Sequence, residues 1–237
     1  MPDRHVDSEL CLVRLYILPM PLAREAPYWL YPYWGEVARE VKHFFVERAA
    51  RARPLLEKVG VSPTVQLYEY DSRIEDWPIH AYEIVFRSRA SAALLSESGL
   101  AGVADPGRTV VQRAHAEGYA VIPLAGPSSI TLALSASGLS GQAFTFWGYP
   151  PIEKRQRRQF LQKVIGAAAQ MTQILMETPA RSSSLLGELI AVAPPDLYLC
   201  VAHHLTAADG WVRTQPVALW QPMDLPKAPT LFLLGRM

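Results

Sequence analysis

The sequence predicts an α/β protein made of two α/β domains, residues 10–143 with a mostly parallel sheet and residues 144–237 with a mixed sheet. Three observations carry this expectation. Through the first half, short apolar runs alternate with helical patterns, the arrangement that parallel strands and covering helices require. After Phe144 the closing strands have no long helices between them, which implies antiparallel pairing. Of the 237 residues, 50% are hydrophobic and only 19% charged, so a sizeable core can be buried.

In order along the chain, residues 10–18 are almost continuously apolar and end at Pro19 and Pro21, as a buried strand feeding a loop does. The loop 19–34 is rich in Pro, Tyr and Trp. Residues 43–46 read as a second strand and 49–59 as a helix stopped by Gly60, although the periodicity of 34–58 is also compatible with one long helix. A short strand at 92–96 ends in Glu97-Ser98-Gly99. Asp105-Pro106-Gly107 opens a helix to about residue 117, with Asp105 as N-cap and Pro106 at the first position. The next strand is 120–124, and Gly126-Pro127-Ser128 opens an apolar helix that ends at Gly138. The second domain then reads as a strand at 144–147, a charged helix from Glu153 to about residue 168, a helix at 181–191, and strands near 173–176, 197–202, 216–219 and 230–234.

Composition excludes several classes. A net charge of +1 gives no overall pull toward nucleic acid or anionic lipid, so any RNA contact must come from a local basic patch. Cys11 and Cys200 lie far apart in apolar runs and read as buried thiols, not as a disulfide framework. Residues 1–9 are polar and acidic, unlike a secretory signal, and no apolar run approaches the roughly 18–20 residues a bilayer span needs. A cytoplasmic protein is the expectation. There is no Gly-x-Gly-x-x-Gly, no Walker loop and no His-Glu-x-x-His. His203 and His204, read as neighbours in one strand, point to opposite faces and cannot jointly chelate a metal, so no metal is expected.

What remains is a set of three strand-end turns, Glu97-Ser98-Gly99, Asp105-Pro106-Gly107 and Gly126-Pro127-Ser128. Ligands of open α/β sheets bind beyond the carboxyl ends of the strands, and small residues there allow close backbone approach. On their own, such turns are ordinary loop chemistry. Their order and spacing add more. The run Ser96-Glu97-Ser98-Gly99-Leu100-Ala101-Gly102-Val103-Ala104-Asp105-Pro106-Gly107 resembles the Ser-Asp-Ala-Gly-Thr-Pro-x-x-x-Asp-Pro-Gly run of the ribosomal RNA small-subunit methyltransferase I family, within the tetrapyrrole (corrin/porphyrin) methylase superfamily. Val121-Ile122-Pro123-Leu124-Ala125-Gly126-Pro127 is similar to that family's Val-Val-Pro-Leu-Pro-Gly-Pro, and Ala133-Leu134-Ser135-Ala136-Ser137-Gly138-Leu139 to its Ala-Leu-Ser-Ala-Ser-Gly-Leu. Leu15-Tyr16-Ile17-Leu18-Pro19-Met20-Pro21, Phe146-Trp147-Gly148-Tyr149-Pro150 and Met176-Glu177-Thr178 resemble further family segments.

The resemblance implies two tetrapyrrole-methylase-like α/β domains with S-adenosyl-L-methionine (SAM) in the cleft between them, a homodimer, and methylation of RNA at a ribose 2′-hydroxyl. By the same resemblance Pro19, Ser96, Glu97, Ser98, Gly99, Ala104, Asp105, Pro127 and Ser128 contact the cofactor, and Phe146, Trp147, Met176, Pro229 and Thr230 pack around its adenosine. Plain core packing is the competing reading for Phe146 and Met176. Glu47 and Glu177 are the carboxylates placed to take a proton from a ribose hydroxyl, against bland roles as a strand-end acid and a cap partner of Thr178 or Arg181. Lys154, Arg155, Arg157 and Arg158, with Arg48, Arg51 and Arg53, are the basic clusters available to phosphates, or else solvated helix faces. Trp29, Tyr31, Tyr33 and Trp34 offer stacking surfaces, or else pack within their loop.

The pattern also departs from the family. Glu97 stands for Asp, Leu100-Ala101 for Thr-Pro, Met20 for Thr and Arg24 for Asn, while Glu47-Arg48-Ala49-Ala50 replaces Glu-Asp-Thr-Arg. These changes fall on polar positions and spare the scaffold. They keep open two other readings: a methylase of a tetrapyrrole or other small molecule, and a SAM-binding protein without catalysis.

Overall fold

The computed structural model describes residues 13–23, 32–70 and 79–237. By its internal contacts the chain forms two compact units, Met1–Pro21 with Pro27–Pro127 and Leu22–Ala26 with Ser128–Met237. Strand and helix alternate in both, so the fold is α/β.

The first unit runs β1 (Arg14–Ile17), α1 (Pro32–Glu40), β2 (His43–Val46), α2 (Ala49–Lys58), β3 (Gln66–Glu69), α3 (Ile79–Arg87), β4 (Ala92–Leu95), α4 (Arg108–Ala116) and β5 (Ala120–Pro123). Its sheet has the order β3-β2-β4-β1-β5, and every pairing is parallel. Parallel strands covered by helices on both faces are apolar throughout. The middle strand β4, Ala-Ala-Leu-Leu, is buried at every position. Neighbouring Phe44 and Phe45 point to opposite faces, Phe44 into a core with Leu18, Trp34 and Leu56, Phe45 into one with Val85, Phe86 and Tyr119.

The second unit runs α5 (Ser129–Ser137), β6 (Phe144–Gly148), α6 (Lys154–Ala167), β7 (Thr172–Glu177), α7 (Ser182–Val192), β8 (Tyr198–His203), β9 (Trp211–Pro216) and β10 (Thr230–Gly235). The sheet is mixed, with the order β6-β7-β10-β8-β9. β6 and β7 are parallel, and the other pairs are antiparallel. Alternate residues serve two cores. Leu175, Val201 and Phe232 meet Leu161, Val164, Leu185 and Leu189 of α6 and α7, whereas Ile174, Cys200, Leu231 and Leu233 meet Ile130, Ala133 and Leu134 of α5.

Several local expectations change. α1 and α2 are separate helices with β2 between them, which removes the single long helix over 34–58, and α1 begins inside the expected loop 19–34. Asp105 does not cap α4. The N-cap is Gly107 at φ 131°, with no side-chain cap hydrogen bond, and the helix begins only at Arg108. Residues 217–219 form a 3-10 turn; the strand lies earlier, at Trp211–Pro216 on the sheet edge, where a terminal proline costs no ladder bond. His204 lies past the end of β8 with φ 46°, so it is not a strand neighbour of His203. The contacts divide the chain at Pro127/Ser128, so α5 goes with the second unit, whereas the sequence reading kept residues 128–143 in the first. Cys200 is buried; Cys11 lies outside the described residues, as do Arg24, Trp29 and Tyr31.

Candidate functional site

The carboxyl ends of β1, β2 and β4 are knitted together in the first unit. The Met20 amide donates to the Gly99 carbonyl at 2.8 Å, and the Gly99 amide returns a bond to the Met20 carbonyl at 3.0 Å. Gly99 has φ 70°, a backbone conformation that a glycine adopts without strain. Ser96 is buried, and its hydroxyl donates to the Ser98 carbonyl at 3.0 Å. At the end of β5, a Cβ on Gly126 would lie 2.1 Å from the Pro19 Cβ, so the two turns touch backbone to ring. Ala104 sits at φ 60° in the turn leading to α4.

Three carboxylates gather here. The Glu97 amide donates to Glu47 Oε2 at 3.0 Å, bracing the ends of β2 and β4. Arg48 pairs with the Glu97 carboxylate at 3.0 Å. Burial first, then the nearby charges of Glu47 and Glu97, push the Asp105 carboxyl up to about 6, with the Ser96 hydrogen bond pulling the other way. Tyr70 donates to the Leu95 carbonyl at 2.8 Å, and burial followed by Glu47 and Asp105 pushes its hydroxyl pKa up.

In the second unit the sequence-selected residues split between the sheet's two faces. Phe146 and Met176 pack on the α5 face. Trp147 packs on the other face, edge-on to Phe160, and donates from Nε1 to Gln173 Oε1 at 2.7 Å. Glu177 is completely buried between two arginines. Arg157 Nη1 donates to Oε2 at 3.0 Å, and Arg181 Nη2 and the Thr178 amide each donate to Oε1 at 2.7 Å. Arg157 Nε also donates to Glu188 at 2.7 Å. Arg157 is therefore held inside the unit, while Lys154, Arg155 and Arg158 are exposed. Arg48 is exposed, Arg51 and Arg53 are half-buried, Tyr33 is exposed, and Trp34 belongs to the core.

Register places Glu177 opposite Thr230, Thr230 opposite His203, and His203 opposite Trp211. One edge of the second sheet thus holds the ends of β7 and β8 and the start of β10, with Met176, Pro229, Thr230, His203 and His204 together. The Thr230 hydroxyl donates to the Ala228 carbonyl, so His203 Nδ1–H donates to Thr230 Oγ1 at 2.9 Å. His203 Nε2 is buried without a hydrogen-bond partner among the described residues. Burial and then His204 lower the His203 pKa, against a raising influence from Asp209. Both histidines escaped the sequence reading as site residues because only metal binding was weighed for them. Among the described residues no three His, Cys, Asp or Glu side chains are grouped to hold a metal ion, and no helix is long and apolar enough to cross a membrane.

The fold is that of the tetrapyrrole methylases. The structure is similar to those of the methyltransferase CobJ (TM-score 0.61, 16% identity, 95% of this chain and 94% of that one) and of uroporphyrin-III-C-methyltransferase from Thermus thermophilus (TM-score 0.55, 16% identity, 94% of each chain). No family model matches the sequence. Curated relatives do, among them proteins named ribosomal RNA small subunit methyltransferase I. The Xylella fastidiosa protein is 32% identical over 208 residues, 84% of this chain and 73% of its own length. That from Escherichia coli O157:H7 is 26% identical over 214 residues, 90% of this chain and 73% of its own length, and that from Mesorhizobium japonicum 29% identical over 188 residues and 78% of this chain. The chain belongs to the ribosomal RNA small subunit methyltransferase I family. It spans 63% of the length of the Mesorhizobium relative.

Proposed function

We propose that the chain is a SAM-dependent methyltransferase acting on ribosomal RNA, with a ribose 2′-hydroxyl as acceptor and a homodimer as the working form. The observation that carries this reading is the strand-end set of the first unit. Ser96, Ser98, Gly99 and Ala104 form the turns that follow β4, with Gly99 and Ala104 at positive φ, and Glu47, Glu97 and Asp105 gather negative charge beside them. That donor set fits a ligand with an ammonium and a sulfonium group: carboxylates complement both cations, and a left-handed glycine permits close approach. Pro19, Pro127 and Ser128 complete the turn residues proposed to touch it. In the second unit Phe146 and Met176 share the sheet face that α5 covers, while Thr230, opposite Glu177, points to the other; Phe146 and Met176, with Pro229 and Thr230 at the start of β10, are the residues proposed to pack on adenosine.

When bound, SAM supplies a methyl group already activated on sulfur. The residues of this chain then serve to align the acceptor and exclude water. Glu47 braces Glu97, and Glu177 is saturated by arginines, so both act as positioning groups in this reading. Lys154, Arg155 and Arg158 present exposed cations at the start of α6 and are the proposed phosphate contacts.

The test uses purified protein, labelled SAM and small ribosomal subunits from a strain lacking the protein. Labelled methyl groups should enter the RNA of those subunits, and light scattering at micromolar concentration should give twice the chain mass. Transfer to a tetrapyrrole or another small molecule instead would move the assignment to that class. SAM binding with no transfer to either pool would leave a binding protein.

A further inference from the structure

We infer that the groove between α6 and α7 takes an unstacked base of the ribosomal RNA, with the phosphates flanking that base on Lys154 and Arg158. This rests on the methyltransferase reading above and gives its RNA side a second, apolar contact.

The groove lies wholly within the second unit and has a volume of about 440 Å³. On α6 the residues that line it run from Lys154 to Gln162 at helical spacing, so one face of that helix forms a wall. Ala191 and Val192 of α7 line it as well, both exposed, with Val192 at 47%. Buried Leu161 adds to an interior that is almost wholly apolar. Lys154 and Arg158 are compatible with that, because long charged side chains lay their methylene stems on apolar surface and keep their heads in water. Pockets of this volume hold a flat body of nucleotide size. The lined stretch of α6 rises only about 12 Å, short for a protein partner that covers about 800 Å² on each side.

Charge selects the occupant. Lys154, Arg155 and Arg158 are exposed and make no ion pair among the described residues. The acid of the groove, Glu188, is already engaged: Arg157 Nε donates to it at 2.7 Å and the Ser184 hydroxyl at 3.1 Å. Glu153, just ahead of α6, accepts from the Arg155 and Gln156 amides at 2.8 Å each. The helix amides are thus occupied by the chain's own carboxylate, and an incoming anion meets side-chain cations instead. An apolar interior with free cations on its lining complements a base between phosphates.

Arg157 gives the groove a preformed polar wall. Its guanidinium is fixed by Glu177 at 3.0 Å and Glu188 at 2.7 Å, and splayed-out bases stack on guanidinium planes as they do on aromatic rings. The exposed Gln162 amide offers a donor and an acceptor to a base edge.

The test uses small ribosomal subunits from a strain lacking the protein. Gln162→Leu combined with Ala191→Leu fills the groove from both helices without adding a ring or a charge. Both positions are exposed, so the urea midpoint should hold, and SAM affinity should stay within about twofold. Affinity for the subunits should fall about tenfold or more, the loss of one stacked base, while its salt slope stays as in the wild type. Arg158→Gln should instead lower both the affinity and the slope, the slope by about 0.7. Subunits whose RNA carries thiouridine, irradiated with the wild-type protein, should leave nucleotide adducts on α6 or α7. Equal affinity of the filled and wild-type proteins overturns the groove assignment alone, as do adducts confined to other elements, the result expected if a ribosomal protein sits there. Wild-type protein that neither binds nor methylates these subunits overturns the reading beneath it as well.

Discussion

Arg157 and Glu177 pair at 3.0 Å with side chains only 7% and 0% exposed, which removes one member of the basic run at 154–158 from the surface. Deleting one partner of a buried pair strands the other charge. Arg157→Ala should therefore lose about 3 kcal/mol of unfolding free energy, read from urea melts, since Arg181 still covers part of Glu177. Arg158→Ala, one residue away and exposed, should change it by less than about 0.5 kcal/mol.

Asp105 makes the first unit sensitive to pH. A carboxyl whose pKa is raised by folding holds its proton more tightly in the native state. Its contribution is complete below the ordinary pKa of 3.8 and is lost as pH rises through about 6. Discounting for partial exposure, Asp105→Asn should add about 1–2 kcal/mol at pH 8 and almost nothing at pH 4. Thermal unfolding at the two pH values checks it; an equal gain at both would argue against a raised carboxyl.

Gly126→Ala places a methyl group 2.1 Å from the Pro19 Cβ and 2.2 Å from its Cγ, on a ring that cannot move without its backbone. A cost of about 2–3 kcal/mol is expected. Calorimetry should show weakened SAM binding as well, because the displaced turn adjoins Met20 and so its bridge to Gly99.

Salt dependence separates phosphate contacts from all others. Each lost contact lowers the slope of log affinity against log salt by about 0.7–0.9. Reversing Lys154, Arg155 and Arg158 to Glu should flatten that slope for RNA and leave SAM affinity within about twofold. A slope that does not change would remove α6 from the RNA surface.

Much of this molecule is legible in its residues. The apolar run of β4 and the glycine that ends α5 are local signals, and local structure obeys them. β3 gives no such signal, because Gln66 and Glu69 are exposed and Leu67 and Tyr68 only half-buried at a sheet edge, so no apolar run forms. α3 was missed although Ala81 and Val85 carry helical spacing. Arg157 looked like its charged neighbours, yet it shares a helix face with Leu161 and Val164, four and seven residues on, and that periodicity marks it as inward-facing. Asp105 does not cap α4 because the helix begins at Arg108, behind Gly107, which lies two residues beyond the aspartate at positive φ. His204 meets Asp209 at 2.6 Å through a left-handed backbone that no residue type announces, although Asp209-Gly210 ahead of a strand marks a turn.

The position of β10 has a consequence for biosynthesis. It lies in the middle of the second sheet, between β7 and β8, although it follows both in the chain. Until residue 235 has left the ribosome, β7 and β8 each lack their common neighbour, and the apolar positions that Phe232 and Leu234 fill on the α6–α7 side stand open. The first unit has its five strands by residue 123 and can close while the rest is still being made. A nascent chain stalled before residue 230 is thus one folded unit trailing an unfinished, adhesive sheet, the species a chaperone would meet first.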